Sequence, residues 1–281
     1  MENFAVFILT YGRPDNVITY KTLKKQGYTG EIYFVCSTDD KTIPKYEENY
    51  PNQVITFNKE DYHEKFDIGD NFNDRRSVVY ARNAVYDIAE TLNKEYFLVL
   101  DDDYTGINYR FNENFQYGHR NVQNLDKVFE LTLEYYKTIP ALAIAYAQGG
   151  DFIGGAEGSQ AQSIQIKRKI MNSFFSSTKR RIKYVSRLND DVSTYTTLGN
   201  RGKLVFQTNQ LCIEQIQTQA SNAGLTDLYL DNGTYVKSFY TVMFAPSCTK
   251  ISLMGNKDMR LHHFIQWNNA ASKILNERYK L

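Results

Sequence analysis

The stretch Tyr96–Thr105, YFLVLDDDYT, places an apolar run directly before three aspartates. The four apolar residues Phe97–Leu100 are few enough for one buried strand. Asp101, Asp102 and Asp103 follow at its carboxyl end, which is where open α/β sheets bind their ligands. Carboxylate oxygens grouped in this way suit a divalent cation, Mg²⁺ or Mn²⁺, that also binds phosphates. The stretch therefore predicts a metal–diphosphate site, and the alternative is a solvated turn or a helix cap.

Composition is typical of an ordinary globular protein. The chain has 281 residues, of which 42% are hydrophobic and 23% are charged, so extended disorder is excluded. The net charge of +1 gives no overall attraction to nucleic acid, and any basic surface must therefore be local. No run approaches the roughly 18 apolar residues of a membrane span, and the N-terminus lacks the basic region of a signal peptide.

The cysteines indicate a reducing compartment. Cys36, Cys212 and Cys248 are odd in number, widely spaced and without a metal-ligand pattern. We expect reduced, mostly buried thiols, which are typical of a cytoplasmic protein.

The first 105 residues alternate between apolar runs typical of buried strands and helical periodicity. Before the Asp101 strand, they predict strands at Phe4–Thr10, Glu31–Cys36 and Gln53–Asn58, and helices at Asn16–Gly27 and Arg75–Leu92. A strand, a helix and a second strand form a β-α-β unit, whose strands should be parallel with a right-handed crossover. We interpret this half as a doubly wound nucleotide-binding unit in which the polar Lys59–Asn73 is a loop over the site.

The remaining residues continue the mixed pattern. Helices are predicted at Leu125–Thr138, Asn189–Gly199 and Glu214–Ala223, and strands at Ala141–Tyr146, Ile164–Phe175, Leu204–Thr208, Tyr235–Phe244 and, as strand or turn, Leu261–Ile265. The glycine-rich Gln148–Gln162 is predicted to be a mobile loop that closes over donor or acceptor. No linker is evident, so we expect one α/β domain with a mixed, mostly parallel sheet flanked by helices. Its nucleotide half is 1–105 and its acceptor half is 106–281.

Polar residues and a glycine follow the first two predicted strands. They are Thr10, Tyr11, Gly12 and Arg13 after the first strand, and Asp39 and Asp40 after the second. The carboxyl ends of neighbouring parallel strands form the crevice of nucleotide binders. Gly12 permits close backbone approach, Arg13 can pair with phosphate, and either aspartate can accept from base or ribose. Ordinary turn residues are the alternative.

Arginines cluster around the start of the helix that precedes the aspartates. Helical spacing puts Arg75 and Arg82 near one face and directs Arg76 elsewhere. An arginine that points inward there would bind diphosphate or orient a carboxylate. A solvated helix face is the alternative for Arg75, and it is the interpretation that we favour for Arg76.

The order of these motifs resembles the GT-A fold glycosyltransferases. It comprises FILTYGRPDN, a strand ending in STDD, ARNAVYDIA and LVLDDDYTG. The resemblance implies a nucleotide-sugar donor, with UDP favoured. It implies a D-x-D of Asp101 and Asp103 that holds Mn²⁺ or Mg²⁺ and the diphosphate, with Asp102 near ribose and sugar. A late histidine that completes the metal shell in many relatives maps onto His262 or His263.

The segment LNDDVSTYTTLGNRG is similar to the acidic pair of inverting, fringe-like members. In those enzymes the second acid of a pair that opens a helix is the base. The resemblance assigns catalysis to Asp190 and Asp191, with Asp191 preferred as the base. Direct displacement at the anomeric carbon requires such a base, because the attacking hydroxyl must lose its proton. Helix capping is the alternative.

Within that set, the pattern most resembles the glycosyltransferases of base-J synthesis and phage DNA hypermodification. This implies hydroxymethylated pyrimidine in DNA as the acceptor, and the host cytoplasm as the location if a phage encodes the chain. A basic segment independently favours DNA, and its candidate contacts are Lys169, Phe174, Phe175, Lys179, Arg180, Arg181 and Arg187. A solvated charged surface is the alternative.

Two other functions fit parts of the pattern. A sugar-phosphate nucleotidyltransferase would share the fold and metal, but the chain lacks a glycine-rich, lysine-bearing loop after its first strand. A non-catalytic DNA-binding relative would not need acids at all the expected places. We therefore favour a metal-dependent inverting glycosyltransferase.

Overall fold

The computed structural model describes residues 3–152, 154–158, 170, 173–216, 235–254, 259–271, 274 and 276–277. The strands of the described residues are β1 (Phe4–Leu9), β2 (Ile32–Ser37), β3 (Val54–Phe57), β4 (Tyr96–Asp101), β5 (Tyr104–Phe111), β6 (Tyr117–Asn121), β7 (Ala143–Gln148), β8 (Phe174–Ser177), β9 (Val205–Gln215), β10 (Thr249–Met254) and β11 (Arg260–Ile265). Their helices are α1 (Ile18–Lys25), α2 (Ile43–Asn49), α3 (Glu60–His63), α4 (Val79–Thr91), α5 (Leu125–Thr138), α6 (Asp190–Asn200), α7 (Val236–Phe244) and α8 (Trp267–Ala270). No helix within the described ranges is long and apolar enough to cross a membrane.

Nine of these strands form one mixed sheet in the order β3-β2-β1-β4-β8-β7-β9-β5-β6. The pairs β3–β2, β2–β1 and β1–β4 are parallel, as is β7–β9. The remaining neighbours are antiparallel, and β10 pairs with β11 in a separate antiparallel ribbon. The predicted α/β class with a mixed sheet flanked by helices is confirmed.

The topology gathers several strand ends at one edge of the sheet. Since β8 is antiparallel to both β4 and β7, these two run in the same direction, and β9 is parallel to β7. The carboxyl ends of β1, β2, β4, β7 and β9 therefore share this edge. Asp101 lies here beside Leu9, so the three aspartates stand where the sequence predicts them.

Two hydrophobic layers cover the faces of the sheet. Alternate residues of β1 point to opposite sides, so Phe4 packs with Phe129 of α5, while Phe7 packs in the layer that contains Val85 of α4. Burying each such side chain stabilises the fold by about 1.5–3 kcal/mol. The three cysteines are buried free thiols, as predicted.

Most predicted elements agree with the structure, but several differ. Tyr235–Phe244 was expected to be a strand, whereas α7 occupies Val236–Phe244. Its residues Val236 and Tyr240, four positions apart, both pack against Leu188, as side chains on one helical face do. The predicted helix Glu214–Ala223 is wrong at its start, where the first two residues end β9. Positions 217–223 lie outside the described residues.

Other differences concern loops. The Lys59–Asn73 segment contains the short α3, and the predicted helix 75–92 begins only at Val79. Of the predicted strand Ile164–Phe175, the last two residues begin β8, and 164–169 lie outside the described residues. The glycine-rich segment forms short 3₁₀ turns at Gly149–Phe152 and Gly155–Glu157, and 159–162 lie outside the description.

Candidate active site

A threonine fixes the turn that carries the three aspartates. The Thr19 hydroxyl of α1 donates to the Asp101 carbonyl at 2.6 Å and accepts from the Tyr104 amide at 2.9 Å. The Thr19 amide donates to the Asp102 carbonyl at 3.1 Å. Because Thr19 is buried, these bonds are shielded from water and hold the backbone between β4 and β5 in one conformation.

The middle aspartate connects β4 to the end of β1. Asp102 accepts from the Thr10 hydroxyl at 2.7 Å and from the Arg13 guanidinium at 2.8 Å. Burial raises the pKa of Asp102, although Arg13 and Thr10 oppose that shift. Through these two contacts Asp102 holds the crevice together.

The third aspartate faces the second half of the chain. The Gln215 side-chain amide at the end of β9 donates to both Asp103 oxygens at 3.0 Å. The Gln148 amide at the end of β7 donates to the Gln215 oxygen at 3.3 Å. The partly exposed Asp103 carboxylate is therefore held at the common edge of both halves of the sheet.

One buried arginine links the aspartate turn to the acidic pair. Arg82 of α4 is 2% exposed and donates to Asp190 Oδ2 at 2.5 Å. Its second terminal nitrogen lies 3.8 Å from Asp101 Oδ1. The predicted inward arginine is thus present, and it orients a carboxylate. This contact puts the proposed metal-binding and catalytic acids on opposite ends of one guanidinium.

Burial and mutual repulsion raise the pKa values of these acids. Burial raises the pKa of Asp101 to about 7 against the opposing effect of Arg82, and the charges of Asp103 and Asp102 add to it. Burial also raises the pKa of Asp190 to about 6, again opposed by Arg82. One guanidinium therefore only partly compensates the negative charge collected here.

The acidic pair opens α6, as predicted. Asn189 occupies the N-cap position with a φ of 54° and no side-chain cap bond, because its amide donates to Thr241 of α7 at 2.6 Å. Asp191 accepts from the Val192 amide at 2.8 Å. Asp190 and Asp191 are buried in the first turn, where the helix dipole favours negative charge. Their carboxylates lie at the end of α6 that faces Arg82.

The predicted nucleotide crevice divides into supporting and exposed residues. Asp40 accepts from the Gly12 amide at 2.8 Å and from both the amide and the hydroxyl of Thr42, so it holds the turn. Tyr11 is 42% exposed, and the Lys59 ammonium lies 5.2 Å from its ring centroid. Lys59 also pairs with Asp39 at 2.9 Å. Lys59 was not among the predicted site residues, although it stands at the start of the loop that was predicted to lie over the site.

Arg75 pairs with a glutamate outside the aspartate turn. It precedes α4 and pairs with Glu60, while Arg76 pairs with Asp74 at 3.0 Å. Because α4 begins only at Val79, helical spacing does not align Arg75 with Arg82, and its role in donor binding stays a prediction. The solvated position favoured for Arg76 agrees with its exposed ion pair.

Several residues of the basic segment are structural and do not belong to a DNA surface. Phe174 and Phe175 are 0% exposed, because β8 lies inside the sheet. Arg180 donates to the carbonyls of Tyr136, Ile139 and Ala141 and so caps the end of α5. Both phenylalanines and this arginine are structural, and their assignment to DNA was wrong.

Three other basic residues of that segment have acidic partners, and Lys183 is exposed. Arg187 is 4% exposed and pairs with Asp70 at 2.7 Å and Asp74 at 3.1 Å. Lys179 pairs with Glu95 at 2.8 Å, and Arg181 pairs with Asp87 and Glu90 on α4. Internal ion pairs therefore offset this positive charge, and Arg187 in particular is inaccessible. Lys169 lies outside the described residues.

The late histidines approach the acidic pair. His263 Nδ1 lies 3.3 Å from the Asn189 side-chain nitrogen, and His262 is its neighbour on β11. Within the part of the chain that the structure describes, no group of three or more His, Cys, Asp or Glu side chains could hold a metal ion. The structure therefore does not bring either histidine into a metal shell with Asp101 and Asp103.

Comparison with known families places this site in context. A family model described as TET-Associated Glycosyltransferase matches residues 4–224. The match includes the aspartate turn, Arg82 and the acidic pair, and it ends before α7 and the ribbon. No curated protein matches the sequence.

Solved structures with a similar arrangement are distant in sequence. Glucosyl-3-phosphoglycerate synthase from Mycobacterium tuberculosis, in complex with Mg²⁺ and UDP, is 10% identical with a TM-score of 0.49 and covers 94% of this chain and 87% of that chain. S. aureus TarS 1–349 with UDP-GlcNAc is 10% identical with a TM-score of 0.47, covering 85% and 66%. The mannosyltransferase PcManGT from Pyrobaculum calidifontis, with GDP-Man and Mn²⁺, is 9% identical with a TM-score of 0.47, covering 86% and 72%. These likenesses are too low to carry an argument about activity.

Proposed function

Because the chain belongs to the TET-associated glycosyltransferase family, we propose that it moves a sugar from a nucleotide diphosphate sugar to a hydroxyl with inversion. The observation that carries this proposal is the bridge from Asp101 through Arg82 to Asp190. Direct displacement needs leaving-group stabilisation on one side of the anomeric carbon and a base on the other. The bridge holds the proposed metal-binding acid Asp101 close to Asp190, whose neighbour in α6, Asp191, is the proposed base.

A divalent cation fits the aspartate turn. Asp101 and Asp103 would hold Mn²⁺ or Mg²⁺ through hard carboxylate oxygens, at a fixed turn whose negative charge Arg82 only partly compensates. When bound, the ion supplies charge neutralisation to the departing diphosphate. Asp102 positions the turn through Thr10 and Arg13.

The acidic pair supplies the base. We assign proton removal from the acceptor hydroxyl to Asp191, because the resemblance to inverting members makes the second acid of the pair the base, while Asp190 pairs with Arg82. Asp190 and Arg82 then act as positioning residues that hold the start of α6 against the donor side. A positioned carboxylate base typically contributes about 100- to 10,000-fold to the rate.

The nucleotide is assigned to the crevice between β1 and β2. Tyr11 offers an exposed ring for stacking on the base, and Asp39 and Lys59 offer an acceptor and a donor beside it. Arg13 lies between this crevice and the aspartate turn, where it can reach phosphate oxygens. These contacts suit a nucleoside diphosphate, and the resemblance favours UDP.

The proposed acceptor is hydroxymethylated pyrimidine in DNA. Its support is the motif resemblance together with the family to which the chain belongs. The segment 179–187 contributes less support than its composition suggests, because Lys179, Arg181 and Arg187 pair with acidic side chains within the protein.

Mass spectrometry of hydroxymethylated DNA tests this function. Incubation with the protein, Mn²⁺ and a panel of nucleotide sugars should add one sugar mass to the modified base and release a nucleoside diphosphate. Release of pyrophosphate would contradict glycosyl transfer, and the absence of sugar on any DNA would contradict the acceptor.

The variant Asp191→Asn tests the base. It should lower transfer by about 100-fold or more while leaving the donor dissociation constant within about twofold, because the donor does not need the base to bind. Asp61→Asn, which alters an exposed aspartate on α3, is the matched control and should transfer normally. Wild-type turnover by Asp191→Asn would refute the assignment.

A further inference from the structure

A small unit after the family-matched residues lies against the acidic pair. It comprises α7 and the antiparallel pair of strands β10 and β11, and this pair of strands is called the ribbon. The family match ends at residue 224. Ile265 of the ribbon packs with Val192 of α6, and His263 contacts Asn189. These two contacts flank Asp190 and Asp191, so the ribbon is anchored at the position where an acceptor hydroxyl must arrive.

The two faces of the ribbon differ at its Thr249–Ile265 end, whereas Leu253 and Leu261 further along are exposed. On one face Thr249 and Ile265 pair with each other and are buried. On the other, Lys250 pairs with Phe264, and Met254 lies further along the same face. Phe264 is 52% exposed and Met254 is 41% exposed, and the exposed Lys250 has its ammonium 5.3 Å from the Phe264 ring centroid. The outward face therefore presents a cation beside an aromatic ring.

Positive and negative residues are also unevenly distributed along the chain. Residues 235–281 contain seven Lys and Arg against two Asp and Glu, whereas residues 1–234 contain 26 against 30. Neither strand of the ribbon contains an aspartate or glutamate. The charged residues of the two strands are both cations, Lys250 and Arg260, so a polyanion would be attracted to the ribbon.

We propose that the outward face of the ribbon is the surface on which a DNA duplex docks as the acceptor. This rests on the DNA acceptor of the proposed function. A two-stranded ribbon fits the major groove, where the 5-substituent of a pyrimidine is exposed. Lys250 pairs with backbone phosphate, and Phe264 makes apolar contact with bases or sugars. Because the ribbon is anchored at Asn189 and Val192, a duplex in contact with the ribbon lies near the acidic pair.

Binding of a hydroxymethylated duplex to the full-length protein tests the proposal. The variants are Lys250→Glu and Phe264→Ala, and the matched control is Lys25→Glu, an exposed lysine on α1. Duplex affinity, measured by fluorescence anisotropy across a salt series, should fall about tenfold in Lys250→Glu, with the log–log salt slope reduced by about 0.9. Phe264→Ala should weaken binding with little change in the slope, and Lys25→Glu should resemble the wild type.

Duplex binding, sugar transfer and donor affinity together separate the ribbon proposal from the DNA-acceptor proposal. If ribbon variants bind and glycosylate duplex as the wild type does, the ribbon inference is refuted and the DNA acceptor stands. If the wild type neither binds nor glycosylates hydroxymethylated duplex, the acceptor assignment is refuted, and the ribbon inference with it. Support requires weaker duplex binding and transfer in the ribbon variants, with unchanged donor affinity and thermal midpoint. All the substituted side chains are exposed or partly exposed, so folding should be retained.

Discussion

Replacing Arg82 with methionine leaves two carboxylates facing each other across a buried gap. The arginine is 2% exposed and donates to Asp190 at 2.5 Å while lying 3.8 Å from Asp101. Methionine approximates the length of the side chain, so the change removes charge and hydrogen bonds more than volume. The remaining acids must then either stay ionised without a partner or bind protons.

Breaking a buried ion pair from one side typically costs about 3–5 kcal/mol. We expect a loss of that size in the metal-free Arg82→Met protein at pH 7.5. Transfer should fall by about 100-fold, since displacement is sensitive to misplacement of the acid pair. Adding Asp190→Asn removes one of the stranded charges. The double variant should therefore be more stable than the sum of the two single effects predicts, with a coupling of about 1–3 kcal/mol.

The pH dependence has a definite sign. The pKa of Asp190 is raised to about 6 and that of Asp101 to about 7, so the folded state binds more protons than the unfolded state between about pH 4 and 7. Stability from these groups therefore falls as pH rises through that window. Without Arg82 both pKa values should rise further, and the penalty of Arg82→Met should be smaller at pH 5 than at pH 7.5.

Urea unfolding of the wild type, Arg82→Met, Asp190→Asn and the double variant, in EDTA at pH 5 and pH 7.5, measures the stability losses and their coupling. Transfer assays with Mn²⁺ measure the rate. Arg82→Lys is the matched control, because it keeps the charge but lacks the forked geometry and should recover part of the stability. A loss below about 1 kcal/mol, additive with Asp190→Asn and independent of pH, would refute the bridge.

Other substitutions test the remaining contacts. Thr19→Val should lower the unfolding free energy by about 1–3 kcal/mol and slow transfer, because it frees the aspartate turn; urea unfolding and steady-state kinetics measure both. Arg180→Met should cost about 2–3 kcal/mol in urea unfolding and leave duplex affinity unchanged, contrary to a DNA contact. EDTA should stop transfer, and added Mn²⁺ should restore it. In a Mn²⁺ titration, Asp103→Asn should need more Mn²⁺ than the wild type to reach half of its maximal rate. Full activity in EDTA would contradict the proposed metal dependence.

Local signals were sufficient for much of the fold. Short apolar runs predicted β1, β2 and β4 within a residue or so, and the position of Asp101 at a strand end followed from them. The acidic pair at the start of α6 was equally visible. In each case the deciding information lies within about ten residues, the range over which hydrophobic periodicity acts.

Information from distant residues was not visible in the sequence. Arg180 donates to carbonyls about 40 residues earlier in the chain, and Arg187 pairs with Asp70. Because these partners are distant in sequence, the run of cations was interpreted as an exposed basic surface. The stretch 236–244 is apolar enough for either a strand or a helix, and its packing on Leu188 and α6 selects the helix. Strand β6, exposed at all five positions, carries no apolar alternation that could have predicted it.

The motif ARN explains how the two halves are held in register. Arg82 pairs with Asp190, and the next residue, Asn83, accepts from the Tyr184 amide at 3.0 Å and donates to the Tyr184 carbonyl at 3.1 Å. Adjacent residues of α4 thus bind both the acidic pair and the backbone that leads to it. The helix ends just before β4, which delivers Asp101. A shift of α4 would move the proposed metal-binding acids and the proposed base relative to each other, so we expect this helix to set the distance between them.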